Sequence, residues 1–304
     1  MRRTAFDLVV IGSGVAGSTV AQRCREAGWS VAVVDSRPFG GTCALRGCEP
    51  KKVLYEVTEA AERARRLGDK GLRPVGLAID WPALARFKRT FTDPVTPARE
   101  RAFSEAGIAV IHGRARFVRP TALRVGEDEL DARHVVVAAG ARPAELPLEG
   151  HEHLAPSDTF LELEQLPARL VFVGGGYVSF ELAHVAVRAG AQVTLLHRSR
   201  RPLAGFDPDL VARLVEHSRQ LGIDVVLEAE AQAIRPAADG YAVLARTPAG
   251  TRTVAADLVV HGAGRVPDID DLDCAVGGVE RDRRGVVVDD HLQSVSNPVV
   301  YAAG

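Results

Sequence analysis

Two cysteines lie close together in a segment rich in glycine. Cys43 and Cys48 are separated by four residues, and Pro50 and Lys51 follow them. Pro50 suits the first turn of a helix over about residues 51–66, which places Cys48 at or just before a helix N-terminus. The partial positive charge there and a neighbouring ammonium group favour the thiolate form. The segment predicts a redox pair in which one sulfur attacks a substrate disulfide while the other passes electrons on.

Two other interpretations of the pair stay open. Zinc binding is the weaker one, because two cysteines supply only two ligands and neither Cys24 nor Cys274 has a matching spacing. The other is a pair of buried, inert thiols. Lysine occurs only at positions 51, 52, 70 and 88, and two of these four follow the cysteine pair. Because lysine and arginine are not interchangeable, we interpret this as a requirement for ammonium groups there, although chance clustering gives the same pattern.

A glycine motif directly follows a short apolar run near the start of the chain. Residues 6–11 have the composition of a buried parallel strand, and a helical stretch and a second apolar run follow the motif. Gly12 allows a tight turn, Gly14 lets a diphosphate approach the backbone, and Gly17 lets helix and strand pack closely. Asp35, at the end of the second run, would accept hydrogen bonds from ribose hydroxyls. The pattern predicts a dinucleotide-binding βαβ unit.

The same pattern recurs in the second half of the chain. A strand over residues 170–173 leads into Gly174, Gly175 and Gly176, and a helix is predicted over residues 180–189. Ser179 stands where the third glycine would be, and its small side chain still permits close packing. The sequence therefore predicts a second nucleotide-binding unit.

The second unit differs from the first at one position that selects the nucleotide. His197 stands at the same distance from Gly174 as Asp35 stands from Gly12. Arg198 and Arg200 follow it. A carboxylate there would repel a 2′-phosphate, whereas a guanidinium pairs with it. We expect NADPH rather than NADH, with Arg198 the first candidate and Arg200 the next; the alternative is a solvated basic turn.

Composition restricts the class of protein. The 304 residues suit about two domains, and 46% apolar with 25% charged residues is typical of a soluble globular protein. A net charge of -1 gives no reason to expect nucleic acid or an anionic membrane as partner. Four cysteines, with no signal peptide and no membrane-spanning run, favour a cytoplasmic protein.

Other elements would hold these motifs in place. We expect a helix over residues 81–107 and strands over 108–125 and 129–137. Three further apolar runs end in small residues and glycine, which leaves room for a ligand at the carboxyl edge of a sheet; they cover residues 134–140, 258–264 and 299–304. The third would return the chain beside the first.

Taken together, these motifs resemble the glutathione reductase, mercuric reductase and lipoamide dehydrogenase family. The resemblance covers the whole chain in the family's order. The segments that carry it are Gly12 to Gly17, Gly41-Thr42-Cys43, Gly47-Cys48, Pro50-Lys51-Lys52, Ala138-Ala139-Gly140, Gly174 to Glu181, Gly264-Arg265-Val266-Pro267 and Tyr301-Ala302-Ala303-Gly304.

The resemblance implies a fold and a domain order. It implies a doubly wound α/β architecture of two Rossmann-like nucleotide-binding domains, the second inserted into the first. We expect residues 1–149 to form an FAD-binding domain and 150–267 an NADPH-binding domain. Residues 268–304 would begin the return to the FAD domain.

The resemblance also implies roles for single residues. Cys43 is similar to the interchange thiol that meets the substrate, and Cys48 to the charge-transfer thiol beside the flavin. Lys51 is similar to the lysine near flavin N5, which pairs with a glutamate matching Glu181. Tyr177 is similar to the aromatic gate that moves when nicotinamide arrives. Electrons would then pass from NADPH through FAD to the cysteine pair and on to a disulfide substrate.

Cofactor binding is expected at a larger set of residues. Arg265 is similar to an arginine at the flavin–nicotinamide junction, and Ala115 to a backbone contact near adenine. The full set is Gly12, Ser13, Gly14, Val15, Gly17, Asp35, Ser36, Gly41, Thr42, Ala115, Ala139 and Gly140 in the first part of the chain, and Gly174, Gly176, Tyr177, Val178, Glu181, His197, Arg198, Arg200, Gly264 and Arg265 in the second.

Three departures from the family pattern affect these expectations. Leu45 stands where asparagine is usual, and Glu49, in a usually apolar position, would disfavour the Cys48 thiolate. The chain stops at Gly304, so we expect a C-terminally truncated member without the dimerisation domain that supplies a catalytic histidine. The substrate stays open among glutathione disulfide, other disulfides and mercuric ion. The alternative functions are an NAD(P)H oxidase or diaphorase with idle cysteines, and a non-catalytic nucleotide-binding module.

Overall fold

A computed structural model of the chain describes residues 3–304. Its α-helices, in chain order, are α1 (Val15–Glu26), α2 (Gly41–Arg46), α3 (Cys48–Arg66), α4 (Trp81–Thr92), α5 (Val95–Glu105), α6 (Ser157–Leu161), α7 (Tyr177–Arg188) and α8 (Pro208–Gln220). Within the described range, no helix is both long and apolar enough to cross a lipid bilayer.

The strands are short and numerous. In chain order they are β1 (Arg3–Ile11), β2 (Val31–Asp35), β3 (Ala109–His112), β4 (Ala115–Arg119), β5 (Ala122–Val125), β6 (Asp128–Val137), β7 (Ala141–Pro143), β8 (Leu154–Ala155), β9 (Arg169–Val173), β10 (Gln192–His197), β11 (Ile223–Leu227), β12 (Glu230–Ala237), β13 (Gly240–Thr247), β14 (Gly250–Ala256), β15 (Leu258–His261), β16 (Arg265–Pro267), β17 (Arg281–Asp282), β18 (Gly285–Val286) and β19 (Val300–Ala302).

The chain divides into two compact units. The first unit consists of Met1–Cys48, Phe91–Arg142 and Arg265–Gly304, and the second of Glu49–Thr90 and Pro143–Gly264. Each unit contains a largely parallel sheet with helices, and both segments of the second unit are inserted between segments of the first along the chain. The predicted α/β fold class, with two Rossmann-like units, is confirmed.

The sheet of the first unit has seven strands in the order β3-β2-β1-β6-β5-β4, with β19 also paired to β6. Strand β6 is long enough to serve two neighbours, because β5 pairs antiparallel with residues 128–131 and β19 pairs parallel with residues 135–137. The last strand therefore returns beside β6, as the apolar run predicts.

Both faces of this sheet are buried. Val9 and Ile11 of β1 belong to one apolar cluster, whereas Leu8 and Val10 belong to another. Successive side chains of a strand point to opposite faces, so a strand covered on both sides must be apolar throughout. The run that ends at the glycine motif has this composition for that reason.

The second unit repeats this design. Its parallel sheet has the order β11-β10-β9-β15-β8. Leu170 and Phe172 of β9 face one cluster, and Val171 and Val173 face the other. The second cluster also contains Val243 of a three-stranded antiparallel sheet, β12-β13-β14, which the apolar patterns did not predict.

The compact units divide the chain differently from the predicted domain ranges at one long segment and, by a few residues, at 143–149 and 265–267. Residues 49–90 were expected in the first domain but cluster with the second unit. The physical reason is packing, because Leu54 of α3 and Trp81 and Leu84 of α4 are buried in the same core cluster as strand β9. The assignment of a nucleotide to each unit stays a prediction.

Two predicted elements are broken. The helix expected over residues 81–107 is two helices, α4 and α5, separated at Asp93 and Pro94. Proline lacks a backbone N–H and disfavours helical backbone in the residue before it, so the first helix ends there. The strand expected over residues 108–125 is three strands, with one break at Gly113, whose φ of 144° only glycine adopts readily.

Candidate active site

A cleft of about 270 Å³ lies at the carboxyl ends of β1 and β2 in the first unit. We call it the first cleft. Helix α1 begins beside it, and its N-cap, Gly14, makes no side-chain hydrogen bond to the first turn. By contrast, Asp207 caps α8 through the N–H groups of Asp209 and Leu210. The first-turn N–H groups of α1 are thus left available for an anion, such as a diphosphate.

The glycines of this turn are required by close approach. A Cβ built on Gly17 would overlap the carbonyl oxygen of Gly12, and one built on Gly12 would overlap that of Ala138. Gly41 at the start of α2 has a φ of 72°, and a Cβ there would overlap the Cα of Gly14. These contacts keep the floor of the first cleft free of side chains.

Asp35 is fixed at the end of β2. Its Oδ2 accepts hydrogen bonds from the backbone N–H of Ser13 at 2.8 Å and from Ser13 Oγ at 2.6 Å, and its Oδ1 accepts from Arg37 N–H at 2.9 Å. Ser13 is fully buried, and its Oγ in turn accepts from the N–H of Gly40 at 3.0 Å. The carboxylate therefore ties the glycine turn to the cysteine segment.

Most residues expected to bind a cofactor in the first part of the chain line the first cleft. These are Gly12, Ser13, Gly14, Val15, Asp35, Ser36, Gly41, Thr42, Ala115, Ala139 and Gly140. Gly17 does not line it, because it packs α1 against the turn. A cleft lined in this way could hold the diphosphate and a ribose of a dinucleotide.

A second cleft, of about 380 Å³, lies at the equivalent edge of the second unit. The N-cap of α7, Gly176, also makes no side-chain hydrogen bond to its helix. Of the expected residues, Gly174, Gly176, His197, Arg198 and Gly264 line this cleft. Tyr177, Val178, Glu181 and Arg200 are not among the lining residues; Tyr177 is 56% exposed at the start of α7.

His197 takes over the structural role of Asp35. Its Nδ1 accepts the hydrogen bond of the Gly175 backbone N–H at 3.1 Å, as Asp35 accepts that of Ser13. Its Nε2 then carries the proton and donates to the carbonyl oxygen of Arg201 at 2.9 Å. Burial lowers the pKa of His197; the hydrogen bond to Arg201 raises it, and the charge of Arg198 lowers it further. A neutral imidazole is the form that these hydrogen bonds require.

The arginines after His197 have different surroundings. Arg200 is 88% exposed and donates from Nε to Glu228 Oε1 at 3.0 Å. Arg201 donates to the carbonyl oxygen of Ala204. Arg198 lines the second cleft together with Glu230, whose carboxylate is paired with Arg246. Arg198 is therefore the arginine best positioned to meet a charged group in the cleft.

Ser179, which replaces the third glycine, is accommodated by a change on the opposite strand. Gly262 follows β15 and donates its N–H to Val173, as Ala138 donates to Ile11 in the first unit. A Cβ on Gly262 would overlap Ser179 Oγ. The first unit pairs glycine in the helix with alanine after the strand, and the second unit reverses the pair.

The cysteine segment folds as a short helix followed by a long one. Cys43 lies in α2 and lines the first cleft, and Cys48 is exposed as the first residue of α3. Helix α3 begins three residues earlier than predicted, since Pro50 fits its first turn. A Cβ on Gly47 would lie 3.0 Å from the carbonyl oxygen of Thr42, so the backbones next to the two cysteines approach closely.

Lys51 and Glu181 form an ion pair within the second unit. Lys51 Nζ lies 2.7 Å from both carboxylate oxygens of Glu181. Lysine follows the cysteine segment in the first turns of α3, and Glu181 belongs to the first turns of α7. The pairing inferred from the family resemblance is present in the geometry.

Arg265 lies in a different position from the other expected cofactor residues of the second part of the chain. It belongs to the first unit and donates a hydrogen bond to the carbonyl oxygen of Ala141. Together with Ala139, Gly140 and Arg283 it lines a separate cavity of about 690 Å³.

Sequence patterns missed several residues that line the clefts. Arg114 and Asp271 form an ion pair at the first cleft, and Arg37 and Arg46 also line it. Arg37, two residues after Asp35, could have been found from its position. Glu230 in the second cleft could not, because it comes from β12, which the patterns did not predict.

Comparisons with known proteins agree with this geometry. The family model described as pyridine nucleotide-disulphide oxidoreductase matches residues 6–304. Glutathione reductase of Burkholderia cepacia is 29% identical over 304 residues, covering 100% of this chain and 67% of that protein. Mercuric reductase of Streptomyces lividans is 32% identical over 312 residues, covering 99% of this chain and 65% of that protein.

A solved structure shares the fold. The copper(II) complex of the HOCl-induced flavoprotein disulfide reductase RclA from Escherichia coli superposes with a TM-score of 0.86 at 25% identity, covering 99% of this chain and 66% of that one. The chain thus spans about two thirds of the length of these relatives. Proteins of this family are FAD-dependent enzymes that use pyridine nucleotides. The family model covers nearly the entire sequence, and the chain belongs to the pyridine nucleotide-disulphide oxidoreductases.

Proposed function

We propose that the chain is the FAD- and NADPH-binding part of a disulfide reductase whose redox pair is Cys43 and Cys48. One NADPH and one proton would reduce one disulfide to two thiols, giving NADP⁺. When bound, the flavin would relay the two electrons from the nicotinamide to the sulfurs. The observation that carries the proposal is that the cysteine segment borders the first cleft: Cys43 of α2 lines the cleft, and Cys48 follows at the start of α3, outside the lining.

FAD would occupy the first cleft. Its diphosphate would lie against the uncapped start of α1, over the floor that Gly14 and Gly41 keep open. Its adenosine ribose would reach Asp35, which has acceptor capacity beyond its three hydrogen bonds. The carboxylate therefore selects a ribose with free hydroxyls.

NADPH would occupy the second cleft. The neutral His197 removes the carboxylate that would repel a 2′-phosphate, and Arg198 offers a guanidinium at the same edge. Mercuric reductase and glutathione reductase among the relatives are consistent with several final acceptors. We propose a disulfide, because the thiol pair needs a partner that accepts two electrons by exchange.

Residues of the chain itself would have separate roles in the thiol chemistry. Cys48 is the first residue of the 19-residue helix α3, at the end where backbone N–H groups lack partners within the helix. Cys43 would attack the substrate disulfide and release the first product thiolate. Cys48 would then attack the Cys43 sulfur of the mixed disulfide, which releases the second product thiolate and closes the Cys43–Cys48 disulfide. Glu181 holds the ammonium group of Lys51 with both oxygens, so that the charge of Lys51 has a fixed position. Relatives of this family are generally dimeric, and we propose a dimer for the full-length protein.

Anaerobic reduction of the FAD-loaded chain by NADPH tests the proposal. We expect a long-wavelength charge-transfer absorption band that arises from the Cys48 thiolate and the flavin. Cys48→Ser should abolish the band, and the matched variant Cys43→Ser should retain it, because the flavin-side sulfur remains. A band that survives Cys48→Ser shows that the thiol assignment is wrong. NADPH oxidation undiminished in the double variant would favour an oxidase with idle cysteines.

A further inference from the structure

The second cleft contains a carboxylate that a bound nucleotide would have to face. Glu230, the first residue of β12, lines this cleft together with Arg198. Of the described residues that line the cleft, these two carry a charge, while the hydrogen bonds of His197 require its neutral form. The cleft thus offers a nucleotide with several phosphate charges one positive and one negative side chain.

Glu230 is held in its ionised form from outside the cleft. Arg246 of β13 lies directly opposite Glu230 in the strand register and forms an ion pair with it. The hydrogen bond and then the charge of Arg246 lower the pKa of Glu230, and the charge of Arg198 lowers it further, whereas desolvation acts in the opposite direction. At neutral pH the carboxylate is therefore negatively charged.

The attraction between Glu230 and Arg198 works against a phosphate in the cleft. Because the charge of Arg198 acts on Glu230, the carboxylate acts equally on the guanidinium group. A 2′-phosphate on Arg198 would share this guanidinium with Glu230 and would itself be repelled by the carboxylate. A ribose 2′-hydroxyl is neutral and would meet much less of this repulsion. The carboxylate therefore acts mainly against the phosphorylated nucleotide.

We propose that Glu230 is a second specificity-determining residue of the second cleft, which opposes Arg198 and limits the affinity for NADPH. This inference rests on the proposed function, because it requires the 2′-phosphate to lie beside Arg198. The preference for NADPH is then the difference between one attractive and one repulsive side chain. A lower affinity mostly means faster dissociation, so Glu230 speeds the release of NADP⁺ after each reduction.

Calorimetric titration of the purified chain with NADP⁺ and NAD⁺ tests the inference, because the oxidised nucleotides bind without transferring electrons. Glu230→Gln should bind NADP⁺ about two- to fivefold more tightly, as expected for an exposed charge interaction, and NAD⁺ should gain much less. High salt should reduce the gain, since it screens exposed charges. Glu228→Gln is the matched control. Glu228 is also 43% exposed and paired with an exposed arginine, but it is not among the residues that line the cleft.

Arg246 gives a second test with the opposite sign. It pairs with Glu230 but is not among the residues that line the cleft. Arg246→Gln should weaken NADP⁺ binding about twofold, because the carboxylate of Glu230 is then less neutralised. In the background of Glu230→Gln most of this loss should disappear, since no carboxylate remains to be neutralised.

The outcomes distinguish this inference from the proposed function. If neither the wild type nor Glu230→Gln prefers NADP⁺ to NAD⁺, the NADPH assignment is wrong and this inference is wrong with it. A preference for NADP⁺ that Glu230→Gln leaves unchanged or reduces overturns the inference alone. The same conclusion follows if Glu230→Gln strengthens the binding of both nucleotides equally, or if Glu228→Gln produces the same gain.

Discussion

The two nucleotide-binding turns are related by exchanges of single residues that preserve each contact. The first unit pairs Ser13 with Asp35, whereas the second pairs Gly175 with His197. A Cβ on Gly175 would lie 2.6 Å from His197 Nδ1, so the larger imidazole requires glycine across from it. The turn keeps one hydrogen bond in both units while its charge changes from negative to neutral. If the turn selects the nucleotide as proposed, this exchange changes nucleotide choice without removing the hydrogen bond that holds the turn.

The pair of Ser179 and Gly262 gives a stability prediction. Gly262→Ala should destabilise the chain by about 1–3 kcal/mol, because the added methyl overlaps the buried Ser179 Oγ. In the background of Ser179→Gly the same substitution should cost much less, since this reproduces the Gly17 and Ala138 combination of the first unit. A double-mutant cycle measured by urea denaturation checks the coupling. Additive effects would show that the two positions are independent.

Arg198 gives a specificity prediction. Arg198→Gln should weaken NADPH binding about ten- to hundredfold, through loss of charged hydrogen bonds to the 2′-phosphate, and should leave NADH binding unchanged. Arg200→Gln is the matched control, because that side chain is 88% exposed and paired with Glu228. Fluorescence titration with NADPH and with NADH measures the affinity of each variant for each nucleotide. An equal loss for NADH and NADPH would mean that Arg198 does not contact the 2′-phosphate.

At the scale of elements, helix α7 is held against α3 and α8 by polar contacts as well as by its apolar face. Glu181 pairs with Lys51 at its start, and Arg188 pairs with Glu59 at its end. The charges are reversed between the two ends, which fixes the direction and register of α3 along α7. His184, between them, is bonded to Ser218 of α8.

This buried histidine gives a pH prediction. The unfolded chain protonates His184 near pH 6.5, but the folded chain does so only near pH 4, so the unfolded state binds more protons within that window. Stability should therefore decrease as the pH falls from 6.5 to 4, by up to about 3 kcal/mol. His184→Gln should flatten this part of the profile, whereas exposed His291→Gln should not. Urea midpoints at several pH values decide the matter.

Sequence patterns predicted the elements whose burial pattern or backbone conformation is determined by residues close together in the chain. Strands β1 and β9 are apolar throughout because both faces are covered, and the glycine turns need glycine because of contacts within one βαβ unit. The break between α4 and α5 could have been predicted from Pro94, but the sequence analysis gave a single helix over residues 81–107. The antiparallel sheet β12-β13-β14 and the packing of Leu54 with the second unit depend on tertiary contacts between distant segments, which no local pattern records.

The candidate site was predicted unevenly for the same reason. Asp35 and His197 follow from spacing within a βαβ unit, and Lys51 with Glu181 from the family resemblance. Arg114 and Asp271, which pair across the first cleft, are far apart in the chain and carry no motif. Glu230 was not predicted because it lies on β12, which no local pattern indicated.

At the scale of the whole molecule, each unit has its own cleft, so binding of the two proposed nucleotides should be separable. Gly14→Val should abolish FAD retention, because the valine side chain would occupy the space on the cleft floor that the diphosphate needs. NADPH binding should persist in this variant. Gly176→Val is the reciprocal variant. Both glycines have extended backbone that valine can adopt, at φ of -68° and -87°. Loss of both nucleotides in either variant would contradict separate sites.

The order of segments along the chain also governs how the protein is made. Helices α3 and α4 leave the ribosome early, yet the strands that cover Leu54 and Trp81 follow only after residue 143. Strand β6 likewise cannot complete its pairing until β19 has been synthesised. Neither unit can finish folding before the other has been largely synthesised. The nascent chain therefore exposes apolar surface during most of translation. Apolar surface exposed in this way promotes aggregation, which chaperones counteract by shielding early segments until late ones arrive.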